Sequence, residues 1–155
     1  MMSMLESLLQ SYAAHSEKPS RWRPVHWWMG KRPVAEDDKQ TAYAIAQYAD
    51  LPSTEIYPFT ESTLNSVSRA EAAHVLALAG SASLAYGARY LSDEAIETAE
   101  KALADLAEDA VFFSNGNWWQ SDSCSWTPLT DSTLDAGVIG FDDQNAFVFW
   151  VEDED

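Results

Sequence analysis

The sequence predicts an α+β domain, with about four helices packed on one face of a small antiparallel sheet that ends in a C-terminal β-hairpin. Two observations carry that class. The stretch Ala136–Asp155, AGVIGFDDQNAFVFWVEDED, places two runs of β-branched and aromatic residues on either side of Asp142-Asp143-Gln144-Asn145, and such residues suit a pleated, half-buried surface. Upstream, Ser3-Met4-Leu5-Glu6 and Ser68-Arg69-Ala70-Glu71 both have the spacing of a capping box, in which a serine and a glutamate satisfy each other's backbone donors at a helix start.

The first helix is expected from about Met4 to Ala14, because Leu5, Leu8, Leu9 and Tyr12 fall on one face. The next stretch, 16–33, holds three prolines and a glycine, which argue against regular helix. It also holds five of the nine basic residues (Lys18, Arg21, Arg23, Lys31, Arg32), interleaved with Trp22, Trp27 and Trp28. In a basic protein this would suit nucleic acid. Here the cations are expected either to pair with the protein's own acids while the tryptophans cover the core, or to form a partner-binding loop. Pro33 opens a helix-favouring run, Ala35–Tyr48, with Ala42, Ile45, Ala46 and Ala49 turned inward.

Leu51–Ser66 is punctuated by Pro52 and Pro58, and within it Thr54–Phe59 is read as a short edge strand. The second capping box starts a helix expected to reach about Tyr90, its small residues allowing another element to approach closely and its Gly80 and Gly87 weakening it. Ser92-Asp93-Glu94 caps a further helix, and Ile96, Ala99, Leu103, Leu106, Ala110 and Phe113 step by three and four along it. These two helices are expected to pair. Ser114-Asn115-Gly116-Asn117 is the strongest turn signal, suited to ending that helix or opening a hairpin. The hairpin strands, Ala136–Phe141 and Ala146–Val151, follow. At 155 residues, one domain covering the whole chain (1–155) is expected.

The charge balance is the second theme. A 46% apolar fraction is that of a folded domain, but the net charge of −16 is well outside the single figures usual at this size. It is also unevenly spread. Residues 102–155 carry twelve acids and no lysine or arginine, so three-quarters of the imbalance lies in the last third of the chain. Like charges within about 8 Å at physiological salt raise each other's energy. Crowding of this kind argues against direct binding of nucleic acid or of anionic membranes, and for a basic protein partner.

Motifs for chemistry are not found. The chain contains no GxxxxGK[ST], GxGxxG, HExxH, CxxC or GxSxG. His15, His26 and His74 lack ligand-like spacing, and His74 is read as a packed or surface histidine. Asp142–Asn145 lacks the glycine and distal glutamate of a calcium loop. No cofactor or metal is expected. One cysteine, Cys124, cannot close an internal disulfide, the Met1–Leu9 run is too short and polar for a secretory h-region, and no apolar run is long enough to span a bilayer. A cytoplasmic location is expected, phage-encoded or bacterial.

In character, small size, heavy acidity and absent catalytic motifs make the chain similar to phage anti-defence proteins that mimic nucleic acid and to toxin-immunity proteins. The function expected is therefore a non-enzymatic inhibitor that occupies the cationic groove of a nuclease or CRISPR effector, of anti-CRISPR or anti-restriction type. An immunity protein against a basic nuclease toxin is the near alternative. The residues expected to make contact are Asp142, Asp143, Glu152, Asp153, Glu154 and Asp155, with Trp118 and Trp119 as aromatic anchors. A small enzyme or ligand-binding domain with a pocket lined by Trp22, Trp27 or Trp118, and a structural subunit of a larger assembly, are the readings from other classes. A monomer or small homo-oligomer is expected.

Overall fold

The C-terminal hairpin is the centre of the fold. In the computed structural model, which describes residues 3–16, 24–52, 60, 63–81, 84, 91–120 and 125–153, β4 (Leu134–Phe141) pairs antiparallel with β5 (Asn145–Asp153). Outside them lie β1 (Val25–Lys31), β3 (Val111–Ser114) and β2 (Asn65–Val67). The five strands run antiparallel in the order β1-β5-β4-β3-β2. Four helices complete the described chain: α1 (Met4–Ser16), α2 (Asp38–Tyr48), α3 (Arg69–Ser81) and α4 (Asp93–Leu103). The α+β class, the four helices, the antiparallel sheet and the terminal hairpin are all present as the sequence predicts.

One detail differs. Helices cover both faces of the sheet, not one. Side chains alternate along a strand, so Ala136, Val138, Phe147, Phe149 and Val151 face one layer, where they pack with α1, α3 and α4. Ile139, Phe141, Ala146, Val148 and Trp150 face the other, where Ala42, Ile45, Ala46 and Ala49 of α2 cover them. Every residue of β4 is consequently buried, as expected for a central strand covered on both faces.

The caps form as the sequence implies. Glu6 N donates to Ser3 Oγ at 3.0 Å. Ser68 and Glu71 close a reciprocal box, with Ser68 N on Glu71 Oε1 at 2.8 Å and Glu71 N on Ser68 Oγ at 3.1 Å. Ser92 Oγ accepts from Ala95 N. Small residues on α3 do admit a neighbour: a β-carbon on Gly80 would overlap the Tyr12 ring of α1.

Other boundaries move. α4 stops at Leu103 and Phe113 belongs to β3. The three-and-four spacing runs past the helix end by coincidence, and Phe112-Phe113 pairs with β4 instead. Inside the basic, proline-bearing stretch, residues 25–31 form strand β1, because pairing with β5 outweighs its irregular composition. Thr54–Phe59, the continuation from α3 to Tyr90 apart from Leu84, and residues 17–23 with Trp22 lie outside the described residues. Among the described residues no helix is long and apolar enough to cross a membrane.

Candidate functional site: an acidic pole and a buried network at the other end of the sheet

The acids predicted to form one contact face occupy two ends of the sheet. Asp142 and Asp143 sit at the β4–β5 turn, whereas Glu152 and Asp153 end β5. Seven residues of β5 at about 3.3 Å each, from Asn145 to Glu152, put roughly 23 Å between that turn and Glu152. Glu154 and Asp155 lie outside the described residues. The expected single patch is thus divided.

At the β5 end the carboxylates have internal work. Glu152 Oε2 lies 2.7 Å from His26 Nε2, and Ser132 Oγ donates to Glu152 Oε1 at 2.6 Å. His26 Nδ1 lies 3.2 Å from the Ala49 carbonyl at the end of α2. Asp153 Oδ2 accepts from Leu84 N at 2.9 Å. This end therefore ties β1, β5 and the end of α2 together.

Asp142 is a turn-former. Its Oδ1 accepts from Gln144 N at 2.9 Å and Asn145 N at 2.8 Å, and its Oδ2 accepts from Ala107 N at 2.9 Å. Partial burial works to raise its pKa, but the combined backbone donors outweigh that and lower it. Asp143 beside it is exposed.

The bond from Ala107 to Asp142 reveals the larger feature. It joins the hairpin turn to the connection that follows α4, where Asp105, Glu108 and Asp109 are exposed. α4 buries Ala99, Ala102 and Leu103 and leaves Asp93, Glu94, Glu97 and Glu100 in solvent. Asp93, Glu97 and Glu100 recur at helical spacing on one face. Eight exposed carboxylates thus run from α4 onto the hairpin turn: Asp93, Glu94, Glu97, Glu100, Asp105, Glu108, Asp109 and Asp143.

Among the described residues few cations oppose them. Arg69 donates to the carbonyls of Leu103 and Ala107 and lies over the Phe112 ring. Arg32 donates to the Asp142 carbonyl, lies over Phe141, and approaches Asp38 at 3.9 Å. Lys101 is exposed on α4 itself. The two arginines are held by carbonyls and rings, which leaves the α4 carboxylates facing water. The sequence contains the signal for this strip, an acidic helix with a strong apolar stripe on its other side, but the absence of long-range register hid that it meets the hairpin turn.

At the other end of the sheet, where Asp135 pairs with Glu152, lies a buried polar network. Asp135, fully buried, accepts from Asn115 Nδ2, Trp150 Nε1, Leu129 N, Thr130 N and Thr130 Oγ1 at 3.0–3.2 Å. Burial pushes its carboxyl upward in pKa, and the donors from Trp150, Leu129 and Thr130 pull it back only in part. Asn115 in turn donates to the carbonyls of Thr127 and Asp135 and accepts from Trp118 Nε1 at 3.0 Å. The predicted turn at Ser114–Asn117 thus ends β3 and anchors the following segment to the sheet, with Gly116 bridged to Trp126.

This corrects the aromatic anchors. Trp118 is 4% exposed and stacks 4.6 Å from Trp126, so it offers no surface to a partner. Trp119 is half-buried against the same core. Residues 118–119 form a turn and not a strand, so the pair does not split across two faces. Trp27 and Trp28 do split, one toward each layer. His74, half-buried on α3, has an Nε2 without a partner among the described residues, and burial lowers its pKa.

Comparison with protein-family models, curated proteins and solved structures finds no match to this chain. Among the described residues no group of three or more His, Cys, Asp or Glu side chains is arranged to hold a metal ion. The network around Asp135 joins elements already in contact and is sealed from solvent, so its chemistry is structural. The acidic pole, by contrast, is open to another molecule.

Proposed function

We propose that this chain is an acidic, non-enzymatic binding protein that occupies the cationic groove of a basic nucleic-acid-handling protein, in the manner of an anti-CRISPR or anti-restriction mimic. The observation that supports the reading is the strip of eight exposed carboxylates from α4 to the hairpin turn, of which Asp105 also accepts from Leu5 N, beside a helix packed on the core. A helix rises about 1.5 Å per residue, so Asp93 to Glu100 alone presents negative charge over roughly 10 Å, a length comparable to several phosphates along one strand of a duplex.

Such a surface speeds encounter with a cationic groove and excludes nucleic acid from it. Its members differ from those the sequence singles out. Asp143 remains part of it, Asp142 supports it as a turn-former, and Glu97, Glu100, Glu108 and Asp109 carry the exposed charge.

The test begins with capture from a bacterial lysate at low salt. A captured partner is then assayed for competition with duplex DNA or RNA and for association rate against the Glu97→Lys/Glu100→Lys variant. Competition together with an on-rate about tenfold slower in the variant supports the reading. A partner that binds DNA and this chain together, or an unchanged on-rate, removes it.

A further inference from the structure

Among the described residues β1 is an edge strand, and half of its backbone has no partner there. Glu152 N donates to Pro24 O, and Arg32 N donates to Gln144 O. These bonds place the even-numbered residues of β1 toward β5, so the N–H and C=O groups of Val25, Trp27, Met29 and Lys31 point away from the sheet. No hydrogen bond occupies them among the described residues. The opposite edge, β2, is only three residues long, whereas β1 has seven, all half-buried except exposed Lys31. Tyr48, 53% exposed, lies 4.5 Å ring to ring from Trp28. A long apolar edge of this kind is a template for strand pairing.

We propose that β1 pairs antiparallel with β1 of a second copy of this chain, centred on Trp28, to give a continuous ten-stranded sheet. Registers in which odd residues meet odd residues are the ones that satisfy the outward groups, and centring on Trp28 overlaps all seven positions. Trp27 then bonds Met29, and Val25 bonds Lys31. The two Trp28 side chains meet at a non-bonded position, where cross-strand aromatic pairs fit closely.

Charge favours the same register. Residues 24–35 contain no acid, so two copies that each carry −16 meet along a line free of carboxylates. Arg32 falls in line with Pro24 of the second copy, and hence with that copy's Glu152 one strand further, on the same face and about 10 Å away between backbones. Lys31 falls in line with the second copy's Val25 and Val151, two residues from Asp153 on the same face. The cationic end of each β1 thus approaches the acidic end of the other β5. The half-exposed rings of Trp27, Trp28 and Tyr48, each able to bury at most about 150–250 Å², leave the contact below the standard ~800 Å² per partner. The dimer is therefore expected at micromolar concentrations.

Sedimentation across about 5–200 μM, at about 50 and 500 mM NaCl, tests this. The expected result is a monomer–dimer equilibrium. Amide exchange supplies a readout that needs no mutation: the Trp27 and Met29 amides gain protection as dimer forms, while those of Trp28 and Gly30, directed to β5, are protected throughout. Met29→Pro removes an outward donor and no bond to β5, so it should leave the monomer folded by circular dichroism and abolish the dimer. A monomer at every concentration, as a chain whose edge takes a strand from another protein would show, overturns the proposal. So does a dimer in which Trp27 and Met29 stay unprotected or Met29→Pro still associates.

Discussion

Replacing Asn115 with alanine should unfold this protein far more readily than its single side chain suggests. Asn115 Nδ2 reaches the Thr127 carbonyl at 2.9 Å and the Asp135 carbonyl and Oδ1 at 3.0 Å, and its Oδ1 takes the Trp118 indole N–H at 3.0 Å. Truncation leaves that N–H buried without an acceptor, a cost of about 1–3 kcal/mol, and removes one donor from a buried carboxylate, worth about 1.5–3 kcal/mol. Allowing for non-additivity within one network, the loss should be about 3–5 kcal/mol. Total stability of such a domain is about 5–15 kcal/mol. At about 2–4 °C per kcal/mol for this size, Tm should fall by roughly 6–20 °C. Guanidinium unfolding followed by tryptophan fluorescence measures this, because Trp118 and Trp150 both touch the network. Asn117→Ala is the control. It lies two residues away, half-buried, with Asn117 Oδ1 on Ser125 N, and should cost about 1 kcal/mol. Equal losses from the two variants would refute the claim that the buried network holds the 115–130 segment to the sheet.

Further outcomes follow from other contacts. Gly80→Ala drives a methyl group into the Tyr12 ring, and should cost about 1–3 kcal/mol in denaturant unfolding as α1 is displaced. Asp142, whose pKa is lowered, contributes stability that is present above the unfolded value of 3.8 and lost as pH falls through the native one. Asp142→Asn should therefore shrink the acid-side loss of stability below pH 3.8. Asp135 has the opposite sign. Its raised pKa makes the native state bind the extra proton, so its contribution is fullest below 3.8 and declines as pH rises through the native value. The stability of the wild type minus that of Asp135→Asn should narrow as pH rises from acid toward neutral, and a widening gap would show that the donors outweigh burial. Glu97→Lys/Glu100→Lys relieves like-charge crowding on exposed helix positions, so Tm at low salt should stay level or rise slightly. A clear fall would mean that these carboxylates hold the fold together.

Local signals were legible where one element's own residues decide it. The Ser68–Glu71 capping box, the serine caps at Ser3 and Ser92, the inward face of α2 and the hairpin strands all rest on short-range chemistry, and all are found. What depended on partners distant in sequence was not legible. β1 is a strand because β5 pairs with it from more than a hundred residues away, and its own prolines and arginines gave no strand pattern. Phe113 kept a helical spacing yet joined β3, since β4 offered its backbone bonds. Counting acids along the chain put Asp142 and Glu152 in one cluster, but seven residues of extended strand, Asn145 to Val151, hold them apart. The strip on α4 was in view as a helix, and the Ala107–Asp142 bond that joins it to the hairpin turn could be read only from the fold. Asn115 read as a turn residue because its buried partners, Asp135 and Trp118, lie on other segments or in a turn of their own.

The association rate of this chain with its captured partner, measured against ionic strength for the wild type and for Glu97→Lys/Glu100→Lys, weighs the central claim most directly. A cationic groove facing the α4 strip gives a wild-type rate that falls steeply as salt rises, and a variant that is slow at low salt with a shallower dependence. Two parallel curves of equal rate would place the contact elsewhere on the molecule and leave the acidic pole without a part in recognition.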